Sequence, residues 1–293
     1  MEKNFLVTIS NDADILYGVR FVCSFFDEIS DHKITLLHIC RRDDLGMEET
    51  LSKMWQGPNN GVKGQLTTKA KRSIDRAIEL LSHHKMSIDN IMTKTSAERY
   101  GKVRDILTEG TKGHYDAIVL GRRASYSLQW MFERPADETA GEIIRDSCCI
   151  TPIWICPEPL PDLKNVLVCI DGSENSFRAV DHVGFILASQ EHQNVTLFYV
   201  DTGGSSKTAD IFSKGVAILD EHGISSERIG RDTGRGVTVV GTILREIEKG
   251  GYAAVAVGFH GEGAGFAKSL NLAGGTTVKL ISRVKNTSLW CCP

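Results

Sequence analysis

The residues best suited to chemistry lie in two short stretches of the second half of the chain. The stretch LVCIDGS, residues 167–173, ends an apolar run with Asp171 and Gly172, and the stretch 258–277 is rich in glycine and ends in two threonines. A carboxylate can accept hydrogen bonds from a base or a ribose. A glycine loop that leads into a helix presents backbone N–H groups and a positive dipole end, which suit phosphate. These residue types predict a nucleotide site, and a flexible loop without a ligand is the open alternative.

Other kinds of active site find less support in the sequence. The phosphate-loop motif G-x-x-x-x-G-K-[ST] and the nucleophile motif G-x-S-x-G are both absent. No C-x-x-C and no Cys/His set has zinc spacing. His260 is the one histidine that falls in the candidate site, either as a phosphate neighbour or as a solvated loop residue. We therefore predict no catalytic residue and no metal held by protein side chains.

The stretches belong to a repeat that runs through the whole chain. Leu6-Val7 matches Leu167-Val168 with an offset of 161, whereas YDAIVLG (115–121) matches YAAVAVG (252–258) with an offset of 137. The second copy is therefore 24 residues shorter between its second and fourth strands, because 161 minus 137 is 24. Such self-similarity over a fixed spacing indicates one duplicated unit.

Strands and helices alternate within each copy. Short apolar, β-branched runs predict strands at 4–10, 34–40, 87–95, 115–120 and 150–156, and at 165–170, 194–200, 226–232, 252–257 and 287–292. Apolar residues at three- and four-residue steps predict helices at 66–85 and 174–189, and Ser173 is placed to cap the second of these. This alternation is typical of an α/β fold with two doubly wound, mostly parallel sheets and helices on both faces.

Composition limits the class of protein. The formal net charge is −3 over 293 residues, which does not favour nucleic-acid binding. No apolar run approaches the ~20 residues of a membrane span, and the first residues do not resemble a signal peptide. The eight cysteines lie in apolar segments or as adjacent pairs, so we expect reduced, structural cysteines and a cytoplasmic protein.

The chain resembles a tandem universal stress protein, with two such domains in one polypeptide. The resemblance rests on VLVCIDGSENSFRAV in the second copy and on VAVG followed by FHG at its fourth strand. The nucleotide-binding branch of that family carries G-x2-G-x9-G-[ST] in this loop. Gly258 and Gly261 match the first part, and Gly274 follows after twelve residues rather than nine.

The resemblance implies an adenine nucleotide, ATP, ADP or AMP, in the second copy. Mg²⁺ would be met mostly by its phosphates and by water. The implied nucleotide-binding residues are Ile170, Asp171, Gly172, Val200, Gly258, His260, Gly261, Gly274, Gly275, Thr276 and Thr277. Asp171, Ile170 and Val200 would lie near the adenosine. Gly258, His260 and Gly261 would line the ribose and phosphates, and residues 274–277 would hold the phosphates.

The first copy departs from this pattern at separate elements. Ser10 stands in place of Asp171, Asn11 in place of Gly172, and Ala124 in place of the second loop glycine. Arg134 and Pro135 follow where the family has glycine and a hydroxyl residue, and proline has no N–H to donate. The sequence therefore predicts that the first copy keeps the fold without the nucleotide.

The resemblance also implies an organisation and a role. It implies domains at 1–157 and 165–293 joined by a proline-rich linker at 158–164, with strand order 3-2-1-4-5 in each. It further implies that the last strands of the two copies pair within the chain, and a homodimer stays open. The expected function is a nucleotide-dependent stress sensor or binding module with slow hydrolysis at most. A nucleotide-free scaffold is the alternative, and a phosphate- or adenylate-transferring enzyme would need His260 as its base.

Overall fold

The structure is a computed structural model that describes residues 2–40, 66–122, 151–160, 162–203, 208–259 and 275–293. The strands are β1 (Asn4–Thr8), β2 (Lys33–Cys40), β3 (Ile91–Ala97), β4 (Ala117–Gly121), β5 (Ile153–Cys156), β6 (Val166–Ile170), β7 (Val195–Asp201), β8 (Ile229–Arg235), β9 (Ala254–Gly258) and β10 (Ser288–Cys292). The described α-helices are α1 (Tyr17–Phe25), α2 (Thr68–His83), α3 (Lys102–Lys112), α4 (Glu174–Leu187), α5 (Thr208–Glu221), α6 (Val239–Gly250) and α7 (Thr276–Arg283).

The ten strands of the described residues form one sheet in the order β3-β2-β1-β4-β5-β10-β9-β6-β7-β8. Each half of this sheet follows the predicted order 3-2-1-4-5, and every pairing within a half is parallel. The halves meet where β5 pairs antiparallel with β10, as the family resemblance implies. The fold-class prediction, an α/β fold with a mostly parallel sheet, is confirmed.

The third strands begin later than predicted. The sequence predicts strands from residues 87 and 226, but β3 begins at Ile91 and β8 at Ile229. The residues before each strand form a single 3-10 turn, closed by the Asn90 N–H on the Ser87 carbonyl (3.0 Å) and the Arg228 N–H on the Ser225 carbonyl (2.9 Å). Because these N–H and carbonyl groups bond within the turn, they are not available to pair with a neighbouring strand.

Helices cover both faces of the sheet. One buried cluster joins the strands to α1, α2, α4 and α5, and a second joins the opposite face to α3, α6 and α7. Strands covered on both faces are buried almost throughout, which explains why β1, β4 and β9 are nearly continuous apolar runs. Their carboxyl ends remain the open edge at which ligands bind in such sheets.

A pair of tryptophans forms the centre of the seam between the halves. Trp154 and Trp290 are opposite each other in the β5–β10 register, and their rings stack 4.0 Å apart with planes 5° from parallel. Both side chains are fully buried. The Trp154 Nε1–H donates to His182 Nε2 at 3.0 Å, and Phe21, which the 161-residue offset makes equivalent to His182, packs edge-on against both indoles.

Two lysines cross the seam in equivalent places. Lys3 precedes β1 and donates to Ser189 Oγ (2.8 Å) beyond α4, while Lys164 precedes β6 and donates to the carbonyl of Phe25 (3.1 Å) in α1. Lys164 also pairs with Asp27 at 3.1 Å. Burial alone would raise the pKa of Asp27, but hydrogen bonds from Lys164 and His192 hold it below its ordinary value. Each half thus contributes a lysine that donates a hydrogen bond to the end of the other half's first helix.

The buried His182 predicts an acid-sensitive seam. Burial lowers its pKa from 6.5 to about 3. The folded protein keeps this ring neutral while the unfolded chain binds a proton, so stability is lost as pH falls from about 6.5 towards 3. The loss expected at pH 4.5 is about 2–3 kcal/mol from this residue. Urea unfolding of the wild type and His182→Gln at pH 7 and pH 4.5 measures it.

The substitution His182→Gln keeps an acceptor for Trp154 and removes the titration. Its free energy of unfolding should therefore fall less between the two pH values than that of the wild type. His32, whose pKa burial lowers to about 4, and Asp27, whose pKa is also lowered, are present in both proteins and contribute to the remaining acid sensitivity. Equal losses in the two proteins would contradict the assignment to His182.

Candidate functional site

Four elements of the second half bring their ends to one edge of the sheet. The parallel strands β6, β7 and β9 end there, and α7 begins there after the loop that follows β9. Asp171 follows β6, Val200 lies at the end of β7, and Gly258 ends β9. The residues that the sequence singles out around 171 and 258 therefore meet at a single edge, although 87 residues separate them along the chain (258 minus 171).

Asp171, Gly172 and Ser173 form a tight turn between β6 and α4. The carboxylate Oδ1 of Asp171 accepts from the backbone N–H of Ser173 at 2.9 Å. Gly172 has φ +90°, a conformation that side chains disfavour, and a Cβ there would lie 3.1 Å from the side chain of Ile211. The Ser173 hydroxyl accepts from the Ser176 N–H at 3.2 Å, which confirms the predicted helix cap.

Gly258 allows β9 to touch the first turn of α4. A Cβ at this position would lie 2.7 Å from the carbonyl carbon of Asn175 and 2.9 Å from the nitrogen of Ser176. These are backbone atoms, which cannot rotate away. The glycine is therefore required by the close approach of strand and helix, immediately beside the Asp171 turn.

The start of α7 is fixed to the same strand end. Thr277 is buried and its hydroxyl donates to the Gly258 carbonyl at 2.8 Å. That bond uses the hydroxyl proton, so Thr277 can serve a phosphate only through its backbone. Gly275 is the exposed N-cap residue of α7, and Thr276 is half-buried. Together they present the positive end of the helix dipole to the edge.

The two apolar candidates lie on opposite faces of the sheet. Ile170 is buried in the cluster beneath α4 and α5, whereas Val200 is half-buried on the face covered by α6 and α7. The structure thus places Val200 at the open edge and Ile170 in the core next to Asp171. His260, Gly261 and Gly274 lie outside the described residues, so their predicted contacts stay predictions.

One acid at this edge escaped the sequence analysis. Asp201 directly follows Val200, accepts from the Gly203 N–H at 2.9 Å and pairs with Arg235 at 3.2 Å. The rule that ligands gather beyond the ends of parallel strands applies to Asp201 as well as to Asp171. Applied to every strand end, it would have found this residue.

The equivalent edge of the first half is built differently. Ser10 takes over the turn, since its hydroxyl accepts from the Asp12 N–H at 3.3 Å, but it has no carboxylate. Helix α4 begins three residues after Asp171 (174 minus 171), whereas α1 begins only at Tyr17, seven residues after Ser10 (17 minus 10). The first half therefore lacks the helical turn that packs on Gly258 in the second. Residues 124, 134 and 135 lie outside the described residues.

The described cysteines are buried or half-buried. Cys23, Cys156, Cys169, Cys291 and Cys292 are thiols. Burial raises the pKa of Cys23, Cys156 and Cys291 to about 12, so these thiols stay protonated. Over the same ranges no cluster of three His, Cys, Asp or Glu residues could hold a metal ion, and no helix has the length and apolarity that crossing a membrane requires.

Comparison with known proteins places this architecture among solved structures. A universal stress protein from Archaeoglobus fulgidus DSM 4304 aligns over 99% of this chain and 95% of its own, with 17% identity and a TM-score of 0.63. The fold is that of the universal stress proteins. A universal stress protein from Pseudomonas aeruginosa UCBPP-PA14 aligns over 99% of this chain and 92% of its own, with 14% identity and a TM-score of 0.51.

These likenesses concern the fold alone. A universal stress protein in complex with cAMP aligns over 44% of this chain and 95% of its own, with 20% identity and a TM-score of 0.36, which is too low to place a ligand here. No protein-family model and no curated protein matches the chain. The support for a ligand therefore comes from the residues at the carboxyl ends of the strands.

Proposed function

We propose that the second half of the chain binds an adenine nucleotide, ATP, ADP or AMP, and that the protein acts as a nucleotide-dependent stress sensor or binding module. The observation that carries this proposal is the convergence of the Asp171 turn, Gly258 and the start of α7 at one edge of the sheet. A carboxylate and a helix N-terminus beyond the ends of parallel strands suit a nucleoside phosphate, and Gly258 holds α4 and the start of α7 close to this edge.

Each residue has a role in this proposal. The Asp171 carboxylate accepts hydrogen bonds from the ribose or the base, and Val200 packs against the base. The N–H groups around Gly275 and Thr276 hold phosphate oxygens with the dipole of α7 behind them. His260, Gly261 and Gly274 complete the loop. Mg²⁺, when bound, is met by phosphate oxygens and water.

The proposal gives the first half a supporting role. Ser10 places a hydroxyl where the second half has the Asp171 carboxylate, and the late start of α1 leaves this edge without the turn that flanks Gly258 in the second half. We take residues 1–157 and 165–293 as two domains joined by the linker 158–164, with the nucleotide in the second. Hydrolysis, where it occurs, is slow, and His260 is the base to test for it.

The first test is the nucleotide content of the purified protein. We expect about one adenine nucleotide per chain, measured by mass spectrometry after denaturation or by calorimetry when ATP is added. Asp171→Ser should weaken binding about 10- to 100-fold, because it removes a charged hydrogen-bond acceptor. It keeps the turn, since Ser10 already holds the equivalent turn in the first half.

The matched control is Ser10→Ala, which should leave nucleotide binding unchanged. Two nucleotides per chain would contradict the supporting role of the first half. No nucleotide released, and none bound from added ATP or AMP, would contradict the whole proposal and favour a nucleotide-free scaffold.

A further inference from the structure

The duplication creates two equivalent grooves beside the tryptophan seam. Each groove lies between the first helix of one half and the last strand of the same half, on the face that α1 and α4 cover. The offsets of 161 and about 136 residues relate their lining residues in pairs: Phe21 and His182, Ser24 and Phe185, Pro157 and Pro293, Ala253 and Asp116, Ser288 and Pro152. The fold thus presents the same concave surface twice.

The first groove is filled by the linker of the chain itself. Pro157, Pro159, Leu160 and Leu163 lie against its walls, and only about 10 Å³ remains open. Leu163 approaches within 3.4 Å of the Cβ position of Gly251. The linker follows β5 without forming a strand, and the Leu163 N–H donates to the Leu160 carbonyl at 3.1 Å, an i to i+3 bond of the kind that closes a turn. This groove shows what kind of segment the surface accepts.

The second groove is open. Its volume is about 350 Å³, and in the part of the chain that the structure describes no segment fills it. Phe185, Pro152 and Pro293 give it apolar walls. It begins at Pro293 as the first groove begins at Pro157.

The two grooves differ in charge at two equivalent positions. In the first, Arg20 pairs with Glu158 of the linker at 3.1 Å. In the second, the residue equivalent to Arg20 is Asp181, which lines the groove, and Asp116 replaces the neutral Ala253. Arg178, also in the lining, is paired with Glu174 at 2.6 Å. Asp181 also bonds to His222 Nε2 at 2.8 Å, and Asp116 accepts the Asn4 N–H at 2.7 Å. With two carboxylates against one guanidinium in its lining, the open groove favours a cation where the filled groove holds an anion.

We propose that the groove lined by Asp181, Phe185 and Pro293 binds a proline- and leucine-containing segment of a partner protein, along the path that the linker takes in the first groove. The segment carries a lysine or arginine at the position where the linker has Glu158. Prolines restrict the free segment, so its ordering on binding costs less. The linker in the equivalent first groove indicates the shape of the bound segment. The carboxylates of Asp181 and Asp116 indicate that the segment carries a positive charge.

Two labelled peptides test this proposal against the full-length protein. PEPLPDLK copies residues 157–164, and PKPLPDLK carries the reversed charge. Fluorescence anisotropy should show saturable binding of PKPLPDLK, one per chain, and binding of PEPLPDLK weaker by about fivefold, as expected for an exposed ion pair. Asp181→Arg should reverse this preference, which a misfolded protein could not do.

The matched control is Arg20→Gln in the filled groove, which should leave the affinity for PKPLPDLK unchanged. Absence of saturable binding of either peptide would overturn the proposal. Binding that Asp181→Arg does not alter, or that Arg20→Gln alters equally, would overturn the assignment to this groove. Analytical ultracentrifugation of the protein without peptide tests whether a second copy of the chain occupies the groove. A dimer that Asp181→Arg converts to monomers would assign the groove to a second copy and overturn the proposal of a partner protein.

Discussion

Replacing Trp290 with alanine is expected to lower the free energy of unfolding by about 3–5 kcal/mol, the usual cost of truncating a fully buried aromatic side chain. Trp290 is completely buried and stacks on Trp154 across the only antiparallel pairing in the described sheet. Phe25 and His182 also pack edge-on against its ring. The cavity would open at the seam, where both halves lose contacts at once. Urea denaturation followed by circular dichroism measures the change.

The phenylalanine variants separate packing from hydrogen bonding. Trp154 donates to His182 at 3.0 Å, whereas the Nε1 of Trp290 has no partner within the described structure. Trp154→Phe should therefore cost about 1 kcal/mol more than Trp290→Phe, because it removes a donor from a buried acceptor. A loss below 1 kcal/mol for Trp290→Ala would show that the seam contributes little to stability. Equal costs for the two phenylalanine variants would contradict the role given to the hydrogen bond.

The sequence predicts the sheet well because its signals are strong and local. Apolar runs such as residues 117–120 and 254–257 are buried on both faces, so they identify central parallel strands without ambiguity. The starts of β3 and β8 were predicted too early, since Ser87 and Ser225 accept bonds that close 3-10 turns. Polar residues in an exposed edge strand and in the turn before it look alike, so the boundary could not be located from residue types.

The candidate site was predictable only where its causes are local. The Asp171 turn and the Ser173 cap both depend on bonds within a few residues, and the sequence predicts the cap. The use of the Thr277 hydroxyl by Gly258 depends on a contact 19 residues away in sequence, which no local pattern contains. The sequence analysis predicts no helix before residue 66, so it located neither α1 nor its late start. Residues 13–16 are aligned with the first turn of α4, yet they are not helical.

Gly258→Ala is expected to lower the free energy of unfolding by about 1–3 kcal/mol, the usual cost of overpacking, and to weaken adenine-nucleotide binding with it. The added methyl group would lie 2.8 Å from the Asn175 carbonyl oxygen and 2.9 Å from the Ser176 nitrogen, so α4 must move away from β9. That movement shifts Ser173 and the Asp171 turn, which the first turn of α4 anchors. Thermal unfolding and ATP calorimetry on the same preparation measure both effects.

The duplication supplies the matched control. Gly121 ends β4 as Gly258 ends β9, but a methyl group there would lie 4.0 Å from the Tyr17 side chain, which is ordinary contact. Gly121→Ala should therefore change stability by less than about 0.5 kcal/mol and leave nucleotide binding intact. Equal effects of the two substitutions would mean that the close packing of α4 on Gly258 does not distinguish the two edges. A stable Gly258→Ala protein with normal ATP affinity would contradict the placement of the nucleotide site at this edge of the sheet. The difference between the two glycines thus tests, within one chain, whether the packing of α4 on β9 supports the proposed nucleotide site.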